Sequence, residues 1–359
     1  MITSLIVAET MGASSLEFQT KRIQCVSLGG SPYMRTVRYG LPKIPPRILS
    51  CCVFLYATRD DAEKGKNSKG TGFIVGFPSD DATRSYAYIV SCQHVVYNSG
   101  GSMVRVPFTS PINGKQFDVF EFDCLDWRFH KDYDIAVIPI SLKSGVHSFA
   151  AMPTQNFLTK ATKEDQKIGV GDDAFMIGQF MEHNSSGIPV ARFGHIGMDL
   201  SPIFQSAANN HTDAYCLDMN SRSGFSGSPV YVYRTPGYDL EEVIGKFPGV
   251  SFLISGCNHL SLLGMHIAQF PENIKIKNGS GVVLEYVETL SGMTVVIPSW
   301  SILEVLNMPE LVEQRQASNA ALDRQITAPM EEASDTLAQP NAGDNVLKKM
   351  LTTPPKPAK

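Results

Sequence analysis

Short apolar runs separated by turn residues recur along most of this chain, and they predict an all-β protein. In the first half, the runs occupy residues 50–57, 70–77, 86–96, 104–108, 117–122 and 133–140. After a polar stretch at 143–167, further runs occupy residues 172–180, 191–199, 215–220, 228–234, 252–255, 262–268, 282–287 and 294–297. About six strands in the first set and six or more in the second are typical of two antiparallel β-barrels packed side by side.

The same pattern predicts the domain organisation. We expect an irregular N-terminal arm at 1–46, a first β-barrel at 47–142, a linker at 143–170, and a second β-barrel at 171–308. The second barrel should end in a short helix at 299–306, because Pro298 stops the last strand and Ser299 can cap a helix. Residues 309–359 are rich in Ala, Pro, Gln and Asn, which predicts a brief helical extension and then a mostly disordered tail.

Composition narrows the function. The chain has 359 residues, 43% of them hydrophobic, which is enough for a sizeable core. A formal net charge of -4 argues against a protein that binds nucleic acid through bulk positive charge. Neither a convincing signal peptide nor a membrane-length apolar run occurs, so we expect a cytoplasmic protein that does not bind membranes. The sequence leaves the oligomeric state open.

The seven cysteines predict neither a disulfide framework nor a metal site. Their number is odd, and no leader accompanies them, so reduced thiols are expected. Two short Cys/His pairs occur, at 92–94 and 257–259, but neither has a second pair at the spacing that zinc sites use. We therefore expect no metal and no cofactor.

Residues 223–230 read Ser-Gly-Phe-Ser-Gly-Ser-Pro-Val, which predicts a tight, exposed turn just before a strand. Gly224 and Gly227 flank Ser226, and glycine permits backbone geometry that strains other residues. Such a turn can present the Ser226 hydroxyl for attack on a substrate. We expect the backbone N–H groups of Gly224 and Ser226 to bind the oxyanion that this attack would create.

Two upstream residues can activate this serine. His94 follows an apolar run, where a loop can expose it, and Asp134 begins another one. A serine hydroxyl needs a base to remove its proton, and that histidine needs a buried carboxylate to fix its tautomer. The order His, Asp, Ser places the first two residues in the first barrel and the serine in the second, so the site is expected between them.

Each residue also has an ordinary interpretation. Ser226 fits a surface turn, His94 a core histidine and Asp134 a strand cap, and Asp132 is an equally charged neighbour. The joint occurrence of the three, each in its own local motif, favours a catalytic site.

These motifs resemble those of a known family. The sequences Gly-Thr-Gly-Phe-Ile-Val at 70–75, Gln-His-Val-Val at 93–96 and Asp-Ile-Ala-Val at 134–137 are similar to elements of trypsin-like serine proteases of the bacterial and HtrA type. The likeness covers residues 47–308. It implies the chymotrypsin fold, a protein or peptide substrate, and a triad of His94, Asp134 and Ser226.

Around the serine, the chain resembles the glutamyl endopeptidases, which carry Gly-x-Ser-Gly-Ser-Pro-Val as residues 224–230 do. That likeness implies that His266, and by position Ser221, line the pocket for the residue before the cut and favour Glu or Gln there. The alternative for His266 is simple packing in its strand. Phe225 departs from trypsin, which has an aspartate at this place that receives its new N-terminus, so activation by that ion pair is not expected.

Two alternative functions remain at this stage. A protease-like fold without activity would bind a peptide in the same groove. An esterase would share the triad, but it usually has G-x-S-x-G between a strand and a helix, and here Ser228 replaces the last glycine.

Overall fold

The computed structural model describes residues 44–79, 84–98, 102–179, 187–205, 210–222, 224–233, 260–277, 279–280 and 283–327. The chain is all-β with two sheets and few helices, as the sequence pattern predicts. The strand predicted at 252–255, most of the N-terminal arm and the tail after residue 327 lie outside the described residues. The predicted domain boundaries stay predictions.

The first sheet contains eight strands, in the order β5-β4-β1-β2-β3-β7-β6, with β8 pairing in parallel with β2. It forms a half-barrel, consistent with the predicted double-barrel fold. The predicted linker supplies β8, which pairs with β2 at Val75 and Gly76. The strands are β1 Cys52–Tyr56, β2 Gly70–Pro78, β3 Ser85–Ser91, β4 Ser102–Ile112, β5 Lys115–Phe122, β6 Arg128–Phe129, β7 Ala136–Pro139 and β8 Met152–Pro153.

The second sheet is a closed barrel in the order β10-β11-β14-β13-β12-β9, and its pairs are antiparallel. Its strands are β9 Asp173–Gly178, β10 Val190–Gln205, β11 Asn210–Asp218, β12 Pro229–Tyr233, β13 Leu260–Lys277 and β14 Val283–Pro298. The helices of the described chain are α1 Pro46–Leu49, α2 Arg59–Lys64, α3 Gln93–Asn98, α4 Lys160–Asp165, α5 Ser299–Leu306 and α6 Pro309–Thr327. None of them is long and apolar enough to cross a membrane.

The two sheets pack against each other through a shared core. One cluster of buried side chains joins Phe73 and Val90 of the first sheet to Phe175 and Ile297 of the second. Burying a side chain of this kind contributes about 1.5–3 kcal/mol, so the contact fixes the relative position of the sheets. Strand β2 is buried on both faces from Gly70 to Gly76, because the second sheet covers the face that would otherwise meet solvent.

Strands β13 and β14 are longer than the barrel requires. The first part of β13, Leu260 to Met265, pairs with β12, but its pairing with β14 continues to Lys277. The sequence pattern predicted separate short strands at 262–268, 282–287 and 294–297. They form parts of two long strands, because cross-strand pairing supplies the backbone hydrogen bonds of the polar stretches between them.

Candidate active site

Asp134 holds His94 at two points. Its Oδ1 accepts a hydrogen bond from the backbone N–H of His94 at 2.9 Å, and its Oδ2 lies 2.5 Å from His94 Nδ1. The sequence pattern predicted a strand through residue 96. The strand instead ends at Ser91, and His94 is the second residue of the short helix α3, which aims its N–H group at the carboxylate.

This pairing fixes the tautomer of His94. An ionised carboxylate only accepts hydrogen bonds, so Nδ1 carries the proton and Nε2 keeps a lone pair. The His94 side chain is 33% exposed and that of Asp134 only 12%, which shields the ion from water and leaves the ring accessible. Asp132, the other carboxylate considered from the sequence, instead lies 3.6 Å from Lys131, with half of its side chain exposed.

The loop that carries Asp134 is anchored by a buried histidine. His130 Nδ1 accepts hydrogen bonds from the backbone N–H groups of Asp132 and Tyr133, at 3.0 and 3.1 Å. Because Nδ1 is an acceptor, Nε2 carries the proton, and it donates to Glu304 on α5 at 3.0 Å. On the other side of Asp134, the Ile135 N–H donates to the Tyr133 carbonyl. The backbone of Asp134 is therefore held on both sides, in a way that the sequence motifs did not predict.

The turn around Ser226 is held by Thr71, a buried residue of β2. The Thr71 N–H donates to the Ser226 carbonyl at 2.9 Å, and the Thr71 hydroxyl donates to the Gly224 carbonyl at 2.7 Å. The same hydroxyl accepts the N–H of Gln179 at 3.0 Å. Thr71 thus joins the predicted nucleophile to the sheet that carries His94. In the sequence, Thr71 is an ordinary strand residue within Gly-Thr-Gly, so the sequence pattern did not predict this role.

Gly70 shows how close the two halves of the site are. A Cβ atom built there would lie 2.7 and 2.8 Å from the methyl groups of Val95 and 3.0 Å from the carbonyl oxygen of Ser226. The residue after His94 and the backbone of Ser226 therefore meet across Gly70. Within the described residues, no hydrogen bond joins the Ser226 hydroxyl to the His94 ring. Such contacts are often long in free enzymes and tighten when substrate binds.

The backbone around the serine leaves two donors available. Gly224 and Gly227 have φ values of +96° and +87°, which favour glycine. Among the described residues, the N–H groups of Gly224 and Ser226 donate no hydrogen bond, whereas the Gly227 N–H donates to the His266 carbonyl at 2.9 Å. The two available groups are the ones expected from the sequence to bind an oxyanion.

His266 lies beside this turn and, among the described residues, has no hydrogen-bond partner for its ring. The residue is 3% exposed, and neither ring nitrogen makes a hydrogen bond within the described chain. Burial, together with the nearby His94, lowers the pKa of His266 to about 4, so the ring is neutral at pH 7. Ser221 is also buried, but its hydroxyl contacts the Arg222 carbonyl at 3.5 Å, and no hydrogen bond joins it to His266.

Cys92 lies under the site, which the sequence motifs did not predict. Its sulfur contacts the His266 carbonyl at 3.4 Å, and a ligand atom from each of Cys92, His94 and Asp134 lies within 4.8 Å of the others. Burial, and then the Asp134 carboxylate, raise the pKa of Cys92 well above its usual range, so the thiol stays protonated. The Nδ1 atom of His94 in this cluster is already paired with the Asp134 carboxylate.

Comparison with known proteins finds distant structural likenesses only. No protein-family model matches the chain, and no curated protein matches its sequence. The apo MamO protease domain of Magnetospirillum magneticum is 14% identical, with a TM-score of 0.41, over 73% of this chain and 98% of that one. The HtrA-type protease AlgW, solved with a decapeptide, is 17% identical, with a TM-score of 0.38, over 69% of this chain and 52% of that one.

Proposed function

We propose that this chain is a serine endopeptidase. One observation carries the proposal: Asp134 accepts hydrogen bonds from both the backbone N–H and the ring Nδ1 of His94. This pairing leaves Nε2 of His94 free to act as a base near the Ser226 turn. In this proposal Ser226 is the nucleophile, and the N–H groups of Gly224 and Ser226 bind the oxyanion. The substrate is a protein or peptide chain.

The chemistry follows from these roles. His94 Nε2 removes the proton of the Ser226 hydroxyl as its oxygen attacks the carbonyl carbon of the scissile peptide bond. The resulting oxyanion accepts hydrogen bonds from the two backbone N–H groups, and each such donor is worth about 3–4 kcal/mol in the transition state. The imidazolium of His94 then gives its proton to the leaving amine, and an acyl-enzyme remains on Ser226. A water molecule then attacks the acyl-enzyme in the same way, with His94 again as the base, and the carboxylic acid product is released.

Active-site labelling tests this proposal. A fluorophosphonate probe should attach to one serine, and mass spectrometry should locate the adduct on Ser226. Ser226→Ala should abolish both labelling and peptide cleavage, and Ser228→Ala, two residues away and buried, is the matched control. Labelling that persists in Ser226→Ala would contradict the assignment. Stoichiometric peptide binding by an unlabelled wild-type protein would instead indicate a catalytically idle binding module.

The side chain before the cut is proposed to meet His266, with Ser221 nearby, and to be Gln or Glu. A buried imidazole without a polar partner loses hydrogen-bond energy unless a ligand provides one, and an amide or carboxylate side chain would do so. The neutral ring at pH 7 can donate one hydrogen bond and accept another, which matches an amide better than a carboxylate.

We expect cleavage after Gln to exceed cleavage after Glu by about tenfold or more at pH 7, because a buried carboxylate next to a neutral ring is poorly compensated. The preference should weaken as the pH falls towards 4. There the His266 ring, with a pKa of about 4, begins to protonate, and the Glu side chain itself becomes neutral. The measurement is the ratio of kcat/KM for two peptides that differ only at this residue. A ratio that stays constant with pH, or that His266→Phe leaves unchanged, would contradict this pocket.

Because His130 anchors the loop that carries Asp134, two variants of His130 should lower kcat to different extents. His130→Leu removes the acceptor for the Asp132 and Tyr133 N–H groups, so Asp134 should shift and kcat should fall on the order of 10²-fold, as small misplacements of catalytic groups do. His130→Asn keeps an acceptor near the Nδ1 position and should retain most of the activity. Rates are to be expressed per active site, from probe titration. Equal losses in both variants would mean that His130 acts on general stability only.

A further inference from the structure

The short loop between β6 and β7, which carries Asp134, folds around the ring of His130. The His130 backbone N–H donates to the Ile135 carbonyl at 3.0 Å and so closes the loop. Inside it, His130 Nδ1 accepts the backbone N–H groups of Asp132 and Tyr133 at 3.0 and 3.1 Å. The path of the backbone up to Asp134 therefore depends on a hydrogen-bond acceptor at Nδ1.

The His130 ring is shielded from water, so protein groups decide which of its nitrogens carries the proton. Its side chain is 4% exposed, and the Tyr133 ring packs edge-on against it, with 4.9 Å between the ring centroids. A neutral imidazole has one nitrogen that donates and one that accepts. Since Nδ1 accepts, Nε2 must donate, and the Glu304 carboxylate lies 3.0 Å from it.

Glu304 approaches this loop from a different part of the fold. It lies on α5, which follows the last strand of the second barrel directly. Ile302, Val305 and Leu306 fix the helix, because they are buried in the core that the two sheets share. The Glu304 side chain is itself 60% exposed, so it can be replaced without disturbing that core. An anchored helix of the second barrel thus contacts the loop of the first sheet that carries Asp134.

We propose that Glu304 is a positioning residue for the triad, because it selects the tautomer of His130 and thereby sets the position of Asp134. The inference rests on the proposed function. An ionised carboxylate only accepts hydrogen bonds, so it favours the proton on Nε2 and leaves Nδ1 to the two backbone N–H groups. A donor in its place would favour the opposite tautomer, which points a proton at both N–H groups. The loop would then open, and Asp134 would move away from His94.

Two substitutions of Glu304 that differ in hydrogen bonding test this role. Glu304→Gln keeps an acceptor oxygen and should retain most of the activity. Glu304→Lys offers only donors, so kcat for the Gln-containing peptide should fall about tenfold or more, with KM changed by less than about twofold. Glu310→Lys makes the same change of charge at an exposed position of α6 and should keep kcat within about twofold. Equal losses in the Gln and Lys variants of Glu304 would overturn the proposal.

A double variant separates positioning from a general effect on stability. In His130→Asn, the side-chain oxygen accepts the loop N–H groups whichever residue stands at position 304. Adding Glu304→Lys to His130→Asn should therefore cost no further activity. If Glu304→Lys lowers kcat by the same factor with and without His130→Asn, the two residues act independently and the proposal is wrong.

NMR of the His130 ring nitrogens measures the tautomer without any catalysis. In the wild-type chain, Nε2 should carry the proton, and in Glu304→Lys the proton should move to Nδ1. The proton between His94 Nδ1 and Asp134 should give a low-field resonance that weakens in the same variant. An unchanged tautomer, or full kcat, in Glu304→Lys would overturn the proposal. If the wild-type chain neither cleaves peptide nor reacts with the probe, the proposed function fails, but the two NMR signals still decide whether Glu304 positions Asp134.

Discussion

Asp134→Asn is expected to lower kcat by about 10⁴-fold, which corresponds to about 5.4 kcal/mol of barrier, with a much smaller change in KM. The carboxylate accepts hydrogen bonds from both the backbone N–H and the ring Nδ1 of His94. An Asn side chain offers only one acceptor oxygen, and its NH₂ group stabilises the tautomer with the proton on Nε2. His94 could then no longer take the proton of Ser226. The measurement is the single-turnover cleavage rate of a Gln-containing peptide, normalised by probe titration.

Asp132→Asn is the matched control for this variant. Asp132 lies two residues away in the same loop, and its carboxylate faces Lys131 and not His94. The control should keep activity within about threefold of the wild-type chain, as surface substitutions usually do. If Asp132→Asn lost the activity and Asp134→Asn kept it, the geometric assignment of the base's partner would be wrong.

Much of the fold could be predicted from the sequence because each short strand carries its own signal. The runs at 50–57 and 70–77 correspond to β1 and β2, since an apolar run between turn residues fits a strand with both faces buried. Long-range pairing carries no such local signal. Which strands become neighbours depends on contacts between distant segments, so the pattern could not show that β8 pairs with β2.

The long hairpin illustrates the same limit. Residues 270–290 contain Pro271, Glu272, Asn273, Glu285 and Glu288, which lower the strand signal of each window. Their strand conformation comes from mutual pairing, from Pro271 opposite Leu290 to Lys277 opposite Val283. Each strand is stabilised by pairing with the other. A prediction from either segment alone therefore underestimates the length of the strand.

The residues of the candidate site likewise fall into those that the sequence could indicate and those that it could not. His94, Asp134 and Ser226 could be proposed as a triad from the sequence, because each role needs one particular side chain in one particular local motif. Thr71 and Cys92 could not, because they contact backbone atoms of residues distant in the sequence. His130 could not either, because its role depends on how a short loop folds around its ring. Thr71 binds the carbonyls of Gly224 and Ser226, more than 150 residues away, and a threonine in a strand is otherwise ordinary.

Gly227→Ala is expected to destabilise the chain by about 2–5 kcal/mol and to abolish most probe labelling. A Cβ atom at this position would lie 2.0 Å from the carbonyl oxygen of Thr71 and 2.7 Å from the Ser91 hydroxyl. The first contact is with backbone, so no side-chain rotation relieves it, and overpacking of this kind typically costs about 1–3 kcal/mol. The φ of +87° adds about 1–2 kcal/mol for any residue with a Cβ.

A loss of reactivity should accompany the loss of stability. The turn can escape the clash only by moving away from β2, and that movement breaks the two hydrogen bonds from Thr71 that hold Gly224 and Ser226. Ser226 would then lose its position beside the segment that carries His94. We therefore expect the labelling rate of the folded protein to fall on the order of 10²-fold, measured at a temperature and pH where the variant remains folded.

Gly145→Ala separates the effect of the steric clash from the effect of the positive φ. Gly145 has a φ of +77°, close to that of Gly227, but a Cβ atom there would meet nothing within 4 Å. It should lose only about 1–2 kcal/mol from the backbone conformation and keep its labelling rate. Urea unfolding of both variants gives the difference in stability, and the probe gives the difference in reactivity. If Gly227→Ala matched Gly145→Ala in both, the Ser226 turn would not be held against β2, and the assignment of Ser226 as the nucleophile beside His94 would lose its structural support.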